Sequence, residues 1–124
     1  MHIRDLNHVA LLVADLDASH HFYGTVLGLS TKARPAFDFP GQWYALGPLS
    51  ELHLILGREE AVLSHPRGVH LALEVENIES ACTRLEITGV DYIGPKDRPD
   101  GARQIFVLDP DGYCVELSDL SALG

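Results

Sequence analysis

Short apolar runs of five to eight residues, broken by Pro, Gly and Asp, dominate the chain, and in two places the apolar spacing changes from alternate to helical. LNHVALLV (6–13) is apolar and β-branched enough for a strand. Asp15 follows as an N-cap, and Leu16, Phe22, Tyr23, Val26 and Leu27 recur at roughly helical spacing until Gly28, a C-terminal stop. Strand-like pieces come next at 29–37, 41–47 and 51–57, and then a polar connection, GREEAVLSHPRG (57–68). The pattern then restarts. VHLALEV (69–75) is a strand, Asn77 an N-cap, and Ile78, Ala81, Leu85 and Ile87 predict a helix ending at Gly89. Strands follow near 90–94, 103–108 and 113–118, with DPDG (109–112) as a turn between the last two.

The restart is an internal repeat. A shift of about 62 residues lays His8 on His70, 13–17 (VADLD) on 75–79 (VENIE) and 46–48 (LGP) on 108–110 (LDP). One more residue of slippage lays His53 on Glu116. Two copies of a β-α-β-β-β unit follow from this, within one domain over 1–124: module one 1–60 and module two 66–120.

Strand alternation separates the faces. Val9, Leu11 and Val13 oppose His8, Ala10 and Leu12; Leu52, Leu54 and Leu56 oppose Glu51, His53 and Ile55. Leu71, Leu73 and Val75 oppose His70, Ala72 and Glu74; Tyr113, Val115 and Leu117 oppose Cys114, Glu116 and Ser118. Each strand has one apolar face that suits packing under a helix. The other face carries His8, His53, His70 or Glu116, and Ala10 and Ala72 leave room beside them. Three imidazoles and a carboxylate at matching repeat positions form a donor set for a divalent metal: iron, zinc, manganese or nickel, with His53 as a possible fourth ligand.

Composition narrows the classes. The formal charge of −9 opposes a nucleic-acid binder, which needs a basic stripe. There is no apolar run long enough to span a membrane. No export signal opens the sequence, so a cytoplasmic location and free thiols at Cys82 and Cys114 are expected.

NHVALLVADLDASHHFYGTVLGL, VHLALEV and FVLDPDGYCVEL together resemble the vicinal oxygen chelate superfamily, over essentially the whole chain. That superfamily includes glyoxalase I, the fosfomycin and bleomycin resistance proteins, methylmalonyl-CoA epimerase and the extradiol dioxygenases. The resemblance implies an α+β fold: two tandem βαβββ modules in a curved, barrel-like mixed sheet around a metal. It implies metal ligands at His8, His70 and Glu116, with His53 where glyoxalase-like members often carry Glu. It further implies a homodimer acting on a small-molecule substrate.

Other residues join as candidates. Trp43 and Tyr44 are candidate apolar walls of a pocket, Tyr44 because the shift makes it the mate of Phe106. Arg103 is a candidate anion clamp, Cys114 shares strand parity with Glu116, and the loop 95–104 is a candidate lid. Glu116 and His53 are the candidate proton carriers. The expected function is a metal-dependent glyoxalase-like lyase, isomerase or thiol transferase. The alternatives are a metal-free sequestering protein of the bleomycin-resistance type, a small ring-cleaving dioxygenase, and a purely structural metal.

Overall fold

The computed structural model describes all residues, Met1–Gly124. Two compact units divide it, Met1–Glu60 and Ala61–Gly124. In the first, β1 (His8–Val13) leads into α1 (Leu16–His20), which continues as a π-helical stretch, His21–Val26. The strands β2 (Thr31–Lys32), β3 (Gly41–Ala45) and β4 (Glu51–Leu56) complete the unit in the order β1-β4-β3-β2. In the second, β5 (Leu71–Val75), α2 (Ile78–Ile87), β6 (Ile93–Asp97), β7 (Arg103–Leu108) and β8 (Cys114–Asp119) give the order β5-β8-β7-β6. The two sheets share one topology: first strand parallel to the last, the rest antiparallel.

The expected helix starts and stops are the observed ones. Asp15 Oδ1 accepts from the Ala18 amide at 3.1 Å and Asn77 Oδ1 from the Ser80 amide at 2.8 Å, which satisfies N–H groups left over in each first turn. Gly28 and Gly89, at φ 75 and 74°, take the left-handed conformation that ends a helix. Three local expectations are corrected. The first helix widens at its end, where the Leu27 amide donates to the Phe22 carbonyl five residues back, 2.9 Å away. The strand expected over 29–37 is only Thr31–Lys32, because Pro35 and the 37–40 segment leave the ladder. The expected 95–104 loop is mostly the β6–β7 hairpin, with only 98–102 between its strands.

Interior strands carry the cores. In unit one Val13, Tyr23, Val26, Tyr44, Leu52 and Leu54 are buried, and α1 lies against β3 and β4. In unit two Ile78, Leu85, Ile105, Val107 and Val115 are buried under α2, which lies against β7 and β8. Each such side chain stabilises by about 1.5–3 kcal/mol relative to exposure.

Asp119 ties α2 to β8: its carboxylate accepts from the Ile78 amide at 3.0 Å and from the Ser121 amide and hydroxyl at 2.9 and 2.6 Å. The hydrogen bonds from Ser121, then that from Ile78, hold the Asp119 carboxyl below its ordinary value. The unfolded chain therefore takes up this proton first as pH falls. Stability from Asp119 is intact above about pH 4, the unfolded carboxyl range, and is lost as pH falls through the depressed folded value. Urea midpoints should fall on acidification in the native protein and fall less in Asp119→Asn; an equal fall in both would remove Asp119 as the source.

Candidate active site

In unit one, β1 pairs with β4 so that Ala10 lies opposite His53, and β3 pairs with β4 so that Trp43 lies opposite it on the other side. His8, two residues before Ala10, shares their face. The His53 ring is sandwiched: Trp43 stacks on one face at 3.8 Å and 1°, His8 on the other at 4.1 Å and 15°. His53 Nε2 donates to Glu51 Oε1 at 2.9 Å, and the other Glu51 oxygen takes an ion pair with Lys32. The hydrogen bonds from His53 and Lys32 keep the Glu51 carboxyl below its ordinary value. His8 Nδ1 bonds Asn7 Oδ1 at 2.7 Å, which assigns its proton to Nδ1 and leaves Nε2 with a lone pair.

Unit two repeats this layout with different chemistry. Ala72 lies opposite Glu116 on β8, and Phe106 opposite it on β7. His70, just before β5, puts Nε2 at 3.1 Å from Glu116 Oε1 and Nδ1 at 3.0 Å from the Gly68 carbonyl. Glu116 is 6% exposed. Its second oxygen accepts from Gln104 Nε2 at 3.0 Å and from the Ser118 hydroxyl. Burial pushes the Glu116 carboxyl up, but the bonds from Ser118 and Gln104, with His70 beside it, outweigh burial and hold it below its ordinary value. Phe106 meets His70 edge-on, ring centres 6.3 Å apart.

The unit-two pair fits a metal. The Gly68 carbonyl is an acceptor only, so His70 Nδ1 carries a hydrogen, and Nε2 lies 3.1 Å from the Glu116 carboxylate. A hydrogen on Nε2 closes this 3.1 Å contact, and a metal ion would take that hydrogen's place. Ligands at 2.0–2.1 Å from a metal sit about 2.9 Å apart at a right angle and about 3.4 Å at a tetrahedral one. The carbonyl behind His70 and the donors behind Glu116 match the supports that orient metal ligands. No three His, Cys, Asp or Glu side chains are gathered closely enough to hold an ion. The expected group of four is found as two pairs, one in each unit.

Other candidates divide by face. Trp43 and Phe106 are the true mates across the repeat, since β3–β4 and β7–β8 pair at equivalent residues. Tyr44, expected on the donor face, points to the helix side: it is buried, its hydroxyl bonds His20 Nδ1 at 2.6 Å, and burial raises its pKa to about 12. The extra residue of module two precedes β7, so the slippage applies already at this strand and shifts Tyr44 onto the core residue Val107. His20, at the end of α1, is that hydroxyl's partner. Arg103 also departs from its expected role as a clamp. It alternates away from Gln104 and Phe106 and is engaged by Glu79 and, at 3.4 Å, by Asp97. Cys114 keeps Glu116's parity and is buried, with its thiol pushed up by burial and by the Glu116 charge. Cys82 and Cys114 are free thiols. Three residues escaped the sequence reading of the site: Glu51, Gln104 and Ser118. Glu51 and Ser118 stand two residues from a donor on its own face, a signal that alternation offered.

Comparison with known proteins agrees with the fold and its repeat. The Glyoxalase/Bleomycin resistance protein/Dioxygenase superfamily matches residues 5–117, and the chain belongs to it. Among similar proteins, a lactoylglutathione lyase of Salmonella typhimurium is 33% identical, covering 96% of this chain and 95% of its own. Glyoxylase I 4 of Arabidopsis thaliana is 30% identical, over 99% of this chain and 75% of its own. The crystal structure of a glyoxalase family protein from Enterococcus faecalis superposes with a TM-score of 0.76 at 28% identity, over 95% of this chain and 99% of that one. No helix is long and apolar enough to cross a membrane.

Proposed function

We propose that the chain is a metal-dependent glyoxalase-like enzyme, a lyase or isomerase acting on a small substrate with two neighbouring oxygens. The observation that carries this is the 3.1 Å separation of His70 Nε2 and the Glu116 carboxylate, the spacing of two ligands on one metal ion. In this reading His8, His70 and Glu116 hold a divalent ion, and His53 moves protons. When bound, the ion supplies Lewis-acid polarisation of the substrate oxygens. Asn7 and the Gly68 carbonyl orient the two ligand imidazoles, and Gln104 and Ser118 orient the carboxylate. Trp43 and Phe106 offer apolar surface beside the donors, and Cys114 stands two residues before Glu116 on the same face of β8. The name of the Salmonella relative supports a thiol adduct of an α-keto aldehyde as the first substrate class to try. The edge strands β1 and β5, with exposed Leu12 and Ala72, support a homodimer.

The test is elemental analysis of untagged native protein beside His70→Ala, followed by turnover of glutathione adducts of α-keto aldehydes. Near-stoichiometric metal in the native protein, lost in the variant, is expected. A protein that takes up none of iron, zinc, manganese or nickel would instead be a sequestering module of the bleomycin-resistance type. The pairing of donors in twos rather than threes is the observation favouring that second reading.

A further inference from the structure

We propose that Glu51 is the positioning residue of His53: it fixes the proton on Nε2 and the lone pair on Nδ1. His53, with Glu51 behind it, then presents Nδ1 as the atom that takes up a proton. The inference deepens the proposed function and rests on it for the reaction, though not for the geometry.

Three observations carry it. The first is the ring sandwich. With Trp43 at 3.8 Å and 1° and His8 at 4.1 Å and 15°, the plane of the His53 imidazole is set from both sides. A ring held in its plane retains two orientations, related by a half turn, that exchange nitrogen and carbon positions. Something outside the stack must choose between them.

The second is Glu51. It stands two residues before His53 on β4, so both side chains leave the same face. Its Oε1 lies 2.9 Å from Nε2. A carboxylate is an acceptor only, so Nε2 is the nitrogen that carries hydrogen. The half-turned ring would present carbon to the carboxylate and lose a charge-assisted bond. Lys32 on the other Glu51 oxygen holds the carboxylate in place beside the ring.

The third is the freedom of Nδ1. It has no hydrogen-bond partner in the chain, yet the one buried side-chain polar atom sealed without a partner is Arg34 Nε. Nδ1 is therefore unpartnered and not sealed from solvent. In the reaction, Nδ1 takes a proton from a substrate carbon, and the C–H electron pair stays on the substrate. The imidazolium keeps its Nε2–H bond to Glu51 and returns the Nδ1 proton to the adjacent carbon. No electrons enter or leave, and no co-reactant is required. Fixing the tautomer of a catalytic imidazole with a carboxylate follows the logic of the Ser-His-Asp triad.

The test reads the tautomer directly. Long-range nitrogen–proton correlation spectra of the full chain, metal-free and zinc-loaded, would be recorded near neutral pH for native protein, Glu51→Ala and Glu51→Gln, with His53→Gln assigning the ring. Native His53 should show hydrogen on Nε2 and a bare Nδ1. Glu51→Gln should keep that pattern, because the amide oxygen still accepts. Glu51→Ala should move or split the proton between the nitrogens and lower kcat on the glutathione adduct about 10–100-fold, with KM little changed. Glu51→Gln should recover most of that kcat. Hydrogen on Nδ1 in the native protein, or an Ala variant with the native pattern, overturns the proposal. If native protein neither binds metal nor turns over, the proton-carrying role falls with the proposed function, while the spectra still decide whether Glu51 holds the ring.

Discussion

Glu116→Ala should strip the metal from the protein and lower turnover by roughly 10²–10³-fold, the equivalent of the several kcal/mol that a Lewis acid supplies. The carboxylate is the most heavily supported donor in either unit, meeting His70 at 3.1 Å, Gln104 at 3.0 Å and the Ser118 hydroxyl. It is also the most buried of the metal-ligand candidates, 6% exposed, so water cannot easily replace it. Glu116→Gln separates charge from shape. The amide fills the same space but removes the negative charge that a bound cation needs, so most of the metal should still be lost. Metal content by elemental analysis and the melting temperature of each variant form the check. Loss of metal with an unchanged apo melting temperature assigns the ligand role. Full metal in Glu116→Ala would remove Glu116 from the ligand set.

Leu54→Ala should be the most damaging of the simple core truncations, costing about 2–5 kcal/mol. Leu54 is fully buried on the interior strand β4, opposite Leu11 on β1 and Gln42 on β3. It holds together the strands that present His8, Trp43 and His53, so its loss loosens that ring stack as well as the core. The melting temperature should fall by roughly 10–20 °C. Leu63→Ala is the control, since Leu63 is 90% exposed and its truncation should stay within about 0.5 kcal/mol. Equal losses in the two variants would mean that β4 is not the keystone of unit one.

The sequence by itself determined the repeat, the order of elements and the side of the sheet on which each donor falls. These are local properties. Alternation fixes the face of His53 and Glu116, Asp15 and Asn77 start helices with their own side chains, and Gly28 and Gly89 stop them by conformation. The 62-residue shift misplaces Tyr44, whereas Arg103, three residues from Phe106, falls on the opposite face by alternation alone. Across the repeat, a residue's mate is assigned only after its strand's register is known, and register depends on which residue of the neighbouring strand it meets. Pairing of Trp43 with His53 and Phe106 with Glu116 shows that the repeat slips before the third strand of each unit. Only the tertiary structure decided the partners of each donor. That Glu51 turns to His53, that Gln104 reaches Glu116 from β7, and that His70 leans on the Gly68 carbonyl all depend on side-chain distances across strands. A hydrogen bond requires heavy atoms within about 3 Å, and alternation resolves only which side of a sheet a residue occupies.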